Sequence, residues 1–461
     1  LDAGYIGVES TGDLDLVGDS SMTLSTGALR VGGDLALDNT ATLSAGAVTF
    51  EVMGALTLGS GSSITCEAST ESRECRLALS ADSLDIAVGA EISASAKGYP
   101  QKTWLGWQSR DLKNTMAGSH GGLGARGNTN VETHAVNPVY GNLYAPNTMG
   151  AGGSSGVGGG VVTLDIAKTL TVHGSVEANG GDGAGAGAGG SVVVRAELIT
   201  GDGSISANGG NYNSSKYGGG GGGRVALLGY ELLAGAFAED HVGTDDFGAL
   251  AEGGDGGGCY DGAAGTVFLR AKGDELGRLV IDNRERCEQS YTVTELPSLP
   301  PILIGEGQMD GPTLTVPGST WIPGLFAGHL LTPNRDQGEV SLSDNVAYVV
   351  ADNSADTITL VEGTFASAAA PGDTLGSLFA FESMVVRGGA LVSTSGDILI
   401  QSSAPALMLE STTTLTARLL ELGPSAASLS AEGATLALSE GGLLVHGSAN
   451  LASTWRSVFN V

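Results

Sequence analysis

Short runs in which Leu, Val or Ile alternate with polar residues recur at a fixed interval along the first sixty positions. Gly12-Asp13-Leu14-Asp15-Leu16, Gly33-Asp34-Leu35-Ala36-Leu37 and Gly54-Ala55-Leu56-Thr57-Leu58 follow one another every 21 residues. A Leu-x-Leu triplet puts both leucines on one face of a strand, because side chains alternate with period two. Met22-Thr23-Leu24, Leu29-Arg30-Val31, Leu43 and Val48-Thr49-Phe50 lie between them, which makes about three short strands per repeat. Three inward-pointing strands per coil of some 20 residues is the pattern of a parallel β-helix. Leu14, Leu35 and Leu56 are then expected in one stack.

The grammar returns in Met384-Val385-Val386, Ile398-Leu399-Ile400, Leu407-Met408-Leu409, Leu420-Glu421-Leu422, Leu436-Ala437-Leu438 and Leu443-Leu444-Val445. The middle third carries a glycine-laden form of it. Val161-Val162-Thr163-Leu164, Ser191-Val192-Val193-Val194 and Thr266-Val267-Phe268-Leu269 read as strands. Val176-Glu177-Ala178-Asn179-Gly180-Gly181 recurs 29 residues later as Ile205-Ser206-Ala207-Asn208-Gly209-Gly210. The glycines of 183–190 read as an enlarged turn that uses positive φ and close packing. Single acidic residues such as Asp13, Asp34 and Asp202 read as turn formers.

Two stretches break the pattern. Residues 97–160 hold Trp104, Trp107, His120, Tyr140 and Tyr144 and read as a long loop insertion. Irregular loops on a rigid scaffold are where binding residues concentrate, and aromatic faces can stack a sugar. These five residues are the candidate glycan site. The competing reading is that the aromatics pin the loop to the flank of the coils and that His120 bonds loop backbone. Residues 292–380 are proline-rich, and Thr313-Leu314-Thr315-Val316, Ala347-Tyr348-Val349-Val350 and Thr357-Ile358-Thr359-Leu360-Val361 read as strands. Asp352-Asn353-Ser354-Ala355-Asp356 reads as a turn between the last two. This segment is expected to be a small inserted β-barrel or β-sandwich. The expected organisation is therefore coils over 1–96, loop over 97–160, glycine-rich coils over 161–291, insert over 292–380 and coils again over 381–461, an all-β chain.

Composition narrows the picture. With 76 glycines in 461 residues and only 5% aromatic residues, a thin core of Leu, Val, Ile and Ala is expected, while 41% hydrophobic residues argue against disorder. No run of 18 apolar residues occurs, so no membrane span is expected. The net charge of −29 disfavours nucleic acid, whose phosphates attract the opposite sign. An acidic surface can gather divalent cations or simply stay solvated. No cofactor is called for, calcium is the one ion to consider, and Asp245, Asp246, Asp255 and Asp261 are the weak carboxylate candidates for it. Their competing reading is a solvated loop beside a disulfide.

The four cysteines lack zinc spacing. Pairing of sequence neighbours joins Cys66 to Cys75 and Cys259 to Cys287, which would imply an oxidising compartment; four buried thiols are the alternative. No signal peptide precedes Leu1, so the chain reads as a mature or excised segment of a longer protein.

Gly118-Ser119-His120-Gly121-Gly122, Tyr140-Gly141, the poly-glycine run, Ile205 to Gly210 and Gly218 to Gly223 followed by Arg224-Val225-Ala226-Leu227 together resemble large glycine-rich β-helical surface proteins of bacteria. Trp321 to Gly328 and Asp352-Asn353 resemble an insert of such proteins. The resemblance covers residues 90 to 380. It implies a right-handed parallel β-helix, a secreted or cell-surface location and an adhesin-like role, and it carries over no catalytic residue. The expected function is structural or adhesive, with a glycan or cell-surface component as partner. A polysaccharide lyase or glycoside hydrolase on the same scaffold is the second reading, and a self-associating fibre segment the third. No Gly-x-Ser-x-Gly, His-Glu-x-x-His or P-loop motif is present.

Overall fold

A computed structural model describes residues 2–3, 8–109, 112, 115–128, 136–212, 216–287, 292–333, 348–367, 369–401, 407–410, 412–423, 428–431, 433–445, 450–453 and 458–460. Ala347, the first residue of the expected strand Ala347-Tyr348-Val349-Val350, lies outside them. The described chain is all-β, with open, mostly parallel sheets and only single-turn 3-10 segments besides.

The 21-residue spacing of leucines becomes a stack. Leu14–Leu16, Leu35–Leu37, Ala55–Leu58, Ser83–Ile86, Thr169–Val172, Leu198–Thr200 and Leu232–Leu233 pair in parallel, with Leu14, Leu35, Leu56, Leu84, Leu170, Ile199 and Leu233 in one register. All but Leu14 are buried in one apolar core. The remaining triplets of each early repeat are one continuous strand rather than two. Ser21–Val31 and Thr42–Val52 each run 11 residues, and Gly27, at φ 115°, sits between the two triplets of the first. The first half of Thr42–Val52 pairs with Ser63–Cys66, and the second half pairs with Arg76–Ala81, so one strand serves two walls.

Asp and Asn side chains at the corners satisfy the backbone of the next rung. Asp13 Oδ1 accepts the N–H of Asp34 at 2.9 Å, and Asp34 Oδ1 accepts that of Ala55 at 2.8 Å. Asn179 serves Asn208, and Asn208 serves Glu252, in the same way. These are the turn formers of the sequence. Asp202 instead meets the ring of His173.

The strand direction is not constant along the chain. Thr266–Ala271 and Arg278–Asp282 pair antiparallel, so the chain reverses across residues 272–277. From there Arg278–Asp282, Ser383–Arg387, Leu407–Leu409 and Ser428–Ala431 run parallel to one another but opposite to the first set. A second core is built on Phe379, Phe381, Ile398, Leu420 and their neighbours, and it also takes Val193, Ala226 and Phe268 from strands of the first set. In it, Asp397 is fully buried and bonds Arg418 through both carboxylate oxygens at 2.7 Å. Removing one partner of such a pair leaves a buried charge, so Asp397→Ala is expected to cost about 3–5 kcal/mol, read as a lowered denaturant midpoint.

Within the second set, between Arg278–Asp282 and Ser383–Arg387, the chain forms antiparallel pairs around a third core of Ile302, Leu314, Phe326, Val350, Ile358 and Leu375. The last strand, Thr374–Phe381, belongs to both bodies: it pairs antiparallel with residues 330–332 and 302–303, then parallel with Asp397–Ile400.

The glycine-rich segments are not turns. In residues 218–223 the backbone donors serve three neighbours in rotation. Gly218 and Gly221 bond Thr115 and Gly118; Gly219 and Gly222 bond Tyr260 and Ala263; Gly220 and Gly223 bond Gly210 and Ala207. A sheet strand bonds two neighbours with period two, whereas period three is that of the polyproline-II conformation, which has three residues per turn. Residues 186–190 repeat the device: Ala186 and Gly189 bond Gly218 and Gly221, Gly187 and Gly190 bond Gly181 and Ala178, and Ala188 bonds Ala151. In 183–190 only Gly185 has positive φ. The glycines are needed because neighbouring backbones occupy the space a Cβ would fill: at Gly158 it would overlap the carbonyl of Gly150, and at Gly220 that of Gly187. Residues 97–160, expected as a loop along the flank, supply several segments of this bundle, among them 117–125 and 150–160.

Both proposed cysteine pairs are disulfides, Cys66 with Cys75 and Cys259 with Cys287.

Candidate functional site

Trp104 opens a two-rung hairpin whose 3-10 turn, Leu105–Trp107, carries Gly106 and Trp107 at positive φ. The hairpin turns the Trp104 indole inward. It is 9% exposed and meets the Tyr140 ring edge-on at 6.1 Å, with Ile322 and Leu325 of the insert packed on the same cluster. Tyr140 is fully buried, and its hydroxyl donates to the Met149 carbonyl at 2.6 Å. Trp107 is half-buried, edge-on to Tyr99 at 5.4 Å. Tyr144 lies against Phe268, Phe381 and His329.

His120 is fully buried beside Tyr140. The Gly189 carbonyl can only accept, so Nδ1 carries the proton and donates to it at 2.8 Å; Nε2 then accepts from the Thr148 hydroxyl at 2.8 Å. Burial, together with the nearby positive charge of Arg224, pushes this ring down to about 3, so it stays neutral at any ordinary pH.

Arg224 begins an apolar strand, is fully buried, and gives its donors to the Tyr140 carbonyl and the Thr266 hydroxyl rather than to a carboxylate. Burial lowers it to about 9. It is a strut between the wall strands and the Tyr140 backbone. A charged residue heading the run Arg224-Val225-Ala226-Leu227 was the visible signal for it.

The structure thus gathers Trp104, His120 and Tyr140 in one interior cluster and leaves Trp107 and Tyr144 outside it. His120 and Tyr140 offer no surface to a sugar, a departure from the sequence expectation that follows from the glycine bundle closing over them. Trp104→Ala is expected to lose about 3–5 kcal/mol of stability, seen as a lower melting temperature.

The acidic candidates do not converge. Asp245 pairs with Arg387 at 3.0 Å, and Asp246 is exposed. Asp255 accepts the Gly257 N–H; Asp261, its carboxyl raised by burial, accepts the N–H groups of Gly256 and Cys287 and so braces the disulfide loop. Among the described residues no three His, Cys, Asp or Glu side chains are placed to hold one metal ion. Among the described residues no helix is long and apolar enough to cross a membrane.

A cleft of about 360 Å³ opens where the bundle meets the insert. Leu105, Gly141, Asn142, Asn147 and Thr148 form one side, and Pro323, Gly324, Ala327, Ala351 and Asp352 the other. Its floor backs onto the buried cluster, for Thr148 holds His120, and Gly141 follows the residue whose carbonyl Arg224 grips. Sequence reasoning had no means of joining residues 142–148 to 352, which are brought together as Ile322 and Leu325 dock on Trp104 and His329 packs on Tyr144.

No protein-family model, curated protein or solved structure matches the chain.

Proposed function

We propose that the chain is a structural or adhesive segment of a bacterial cell-surface or secreted protein, wound as a right-handed parallel β-helix that reverses once. The in-register leucine stack and the corner-turning 11-residue strands support the winding. The general preference of parallel crossovers supports the hand. Two disulfides favour an oxidising compartment. The observation that carries the function is the glycine bundle: segments from four regions of the chain are locked chiefly by backbone-to-backbone bonds, an investment in a stiff body. The cleft holds a single carboxylate, Asp352, where a glycosidase would place two.

A glycan-array screen of the intact chain, with and without a calcium chelator, tests this reading when coupled to an assay for new reducing ends and unsaturated products. Retention of glycans without turnover, unaffected by chelation, is the expected result. Product formation would establish the enzyme reading instead, and failure to retain any glycan or cell-surface fraction would remove the adhesive one.

A further inference from the structure

We propose that the cleft between the glycine bundle and the insert is a binding site for one or two neutral sugar rings. This rests on the adhesive reading and moves the contact away from the buried aromatics.

The argument starts from which polar atoms are already committed. Asn142 Oδ1 accepts the backbone N–H groups of Tyr144 and Ala145, at 2.8 and 3.2 Å, so the side chain is held rigid while its Nδ2 donors have no hydrogen-bond partner among the described residues. The Asn147 amide is exposed and is likewise uncommitted there. Thr148 donates its hydroxyl proton to His120, which leaves the oxygen's lone pairs as acceptors in a fixed direction. Asp352 accepts the N–H of Asn353 through Oδ1 and meets no cation among the described residues. The Asn142 and Asn147 amides and the Thr148 hydroxyl thus line one side of the cleft and the Asp352 carboxylate the other, with Leu105 and Pro323 as apolar lining.

A sugar hydroxyl both donates and accepts, and vicinal hydroxyls present the two roles side by side, so this mixed lining suits a polyol. Small-molecule pockets span about 300–1,000 Å³, and this cleft lies at the low end of that range, at the junction of two separately packed bodies where such sites favour forming. Charge selects within the class. No Lys, Arg or His lines the cleft, Asp352 is negative, and the chain carries −29, so uronic and sialic acids are repelled. Two further cavities do not compete: one, around Phe247, is about 10 Å³, and the surface hollow at Met53 carries Asp165 already paired with Arg195.

The test titrates the full chain with neutral hexose and N-acetylhexosamine disaccharides and with matched uronic-acid disaccharides, in wild type, Asn147→Ala and Asp352→Asn. Both side chains are exposed, so melting temperatures should stay within about a degree of wild type. The expected result is saturable binding of a neutral disaccharide, at least tenfold weaker in each variant, with the uronic-acid ligands bound tenfold or more weaker than the neutral ones. No neutral disaccharide binding, unchanged affinity in both variants, or preference for the acidic ligands would each overturn the proposal. Cell-surface adhesion that persists in a chain carrying both Asn147→Ala and Asp352→Asn, after loss of disaccharide binding or without any, would leave the adhesive reading standing and separate its fate from that of the cleft.

Discussion

Gly158→Ala is expected to destabilise the chain by more than about 4 kcal/mol, enough to abolish cooperative unfolding under conditions where wild type is folded. The reason is geometric. Gly158 is not in a positive-φ conformation, so alanine is compatible with its backbone, but the added methyl would overlap the carbonyl oxygen of Gly150. Relief requires the 150–160 segment to move, and that segment is bonded to residue 99 on one side and to 185 and 188 on another. Gly12→Ala is the matched control. Nothing lies within 4 Å of the position a Cβ would take there, and a change within about 0.5 kcal/mol is expected. Equal tolerance at both positions, measured by denaturant titration, would show that close approach of the Gly150 backbone does not require glycine at 158.

Acid is the second large lever. His329 is 1% exposed, neither ring nitrogen has a hydrogen-bond partner among the described residues, and the ring is packed among Phe326, Phe379 and Tyr144 within the field of Arg224. Burial pushes it down to about 3, as it does His120. Unfolded, both titrate near 6.5. The folded state therefore binds fewer protons between pH 6.5 and pH 3, and stability falls as pH drops through that window, by about 1.4 kcal/mol per pH unit for each histidine. For the pair this amounts to roughly 5 kcal/mol between pH 6.5 and 4.5. Asp261, Glu91 and Glu295, raised by burial, work in the opposite sense at the acid end, because their folded forms take up protons first. The histidine contribution is isolated by His329→Leu. It should lie close to wild type at pH 7.5 and be more stable than wild type by about 2 kcal/mol at pH 5, with one fewer proton in the linkage slope. Parallel pH profiles for the two chains would refute the assignment. Because His329 sits where the insert, the bundle loop and the second core meet, acid unfolding is expected to begin with release of the insert.

The parts of this fold that could be read from sequence are those written in side chains. Leu14, Leu35 and Leu56 announce their stack because a buried wall needs apolar residues at period two, and the 21-residue interval fixes their register. Ile398, Leu420 and Leu443 do the same for the second set. The reversal at residues 272–277 left no such mark, since Lys-Gly-Asp-Glu-Leu-Gly serves a hairpin as well as a corner between parallel strands. The bundle was hidden for a different reason. Glycine looks the same in sequence whether it supplies a positive φ or yields room to a neighbouring backbone, and only the three-fold rotation of hydrogen bonds separates the two. Once 117–125 and 150–160 belong to that bundle, Tyr140 and His120 must lie inside it. The aromatics that suggested a sugar platform are spent on packing, and the polar groups that face solvent come from Asn142, Asn147, Thr148 and, through the docked insert, Asp352.

Native-state amide hydrogen exchange tests the central claim most directly, because it reads the backbone bonds on which the bundle depends. If the glycine segments form that body, amides of residues 117–122, 150–160, 186–190 and 218–223 will be protected to the same extent as those of the stacked strands Val161–Ile166 and Ser191–Arg195, and will exchange with them as one cooperative unit. Exchange of the glycine segments at unprotected rates, while those strands remain protected, would contradict it.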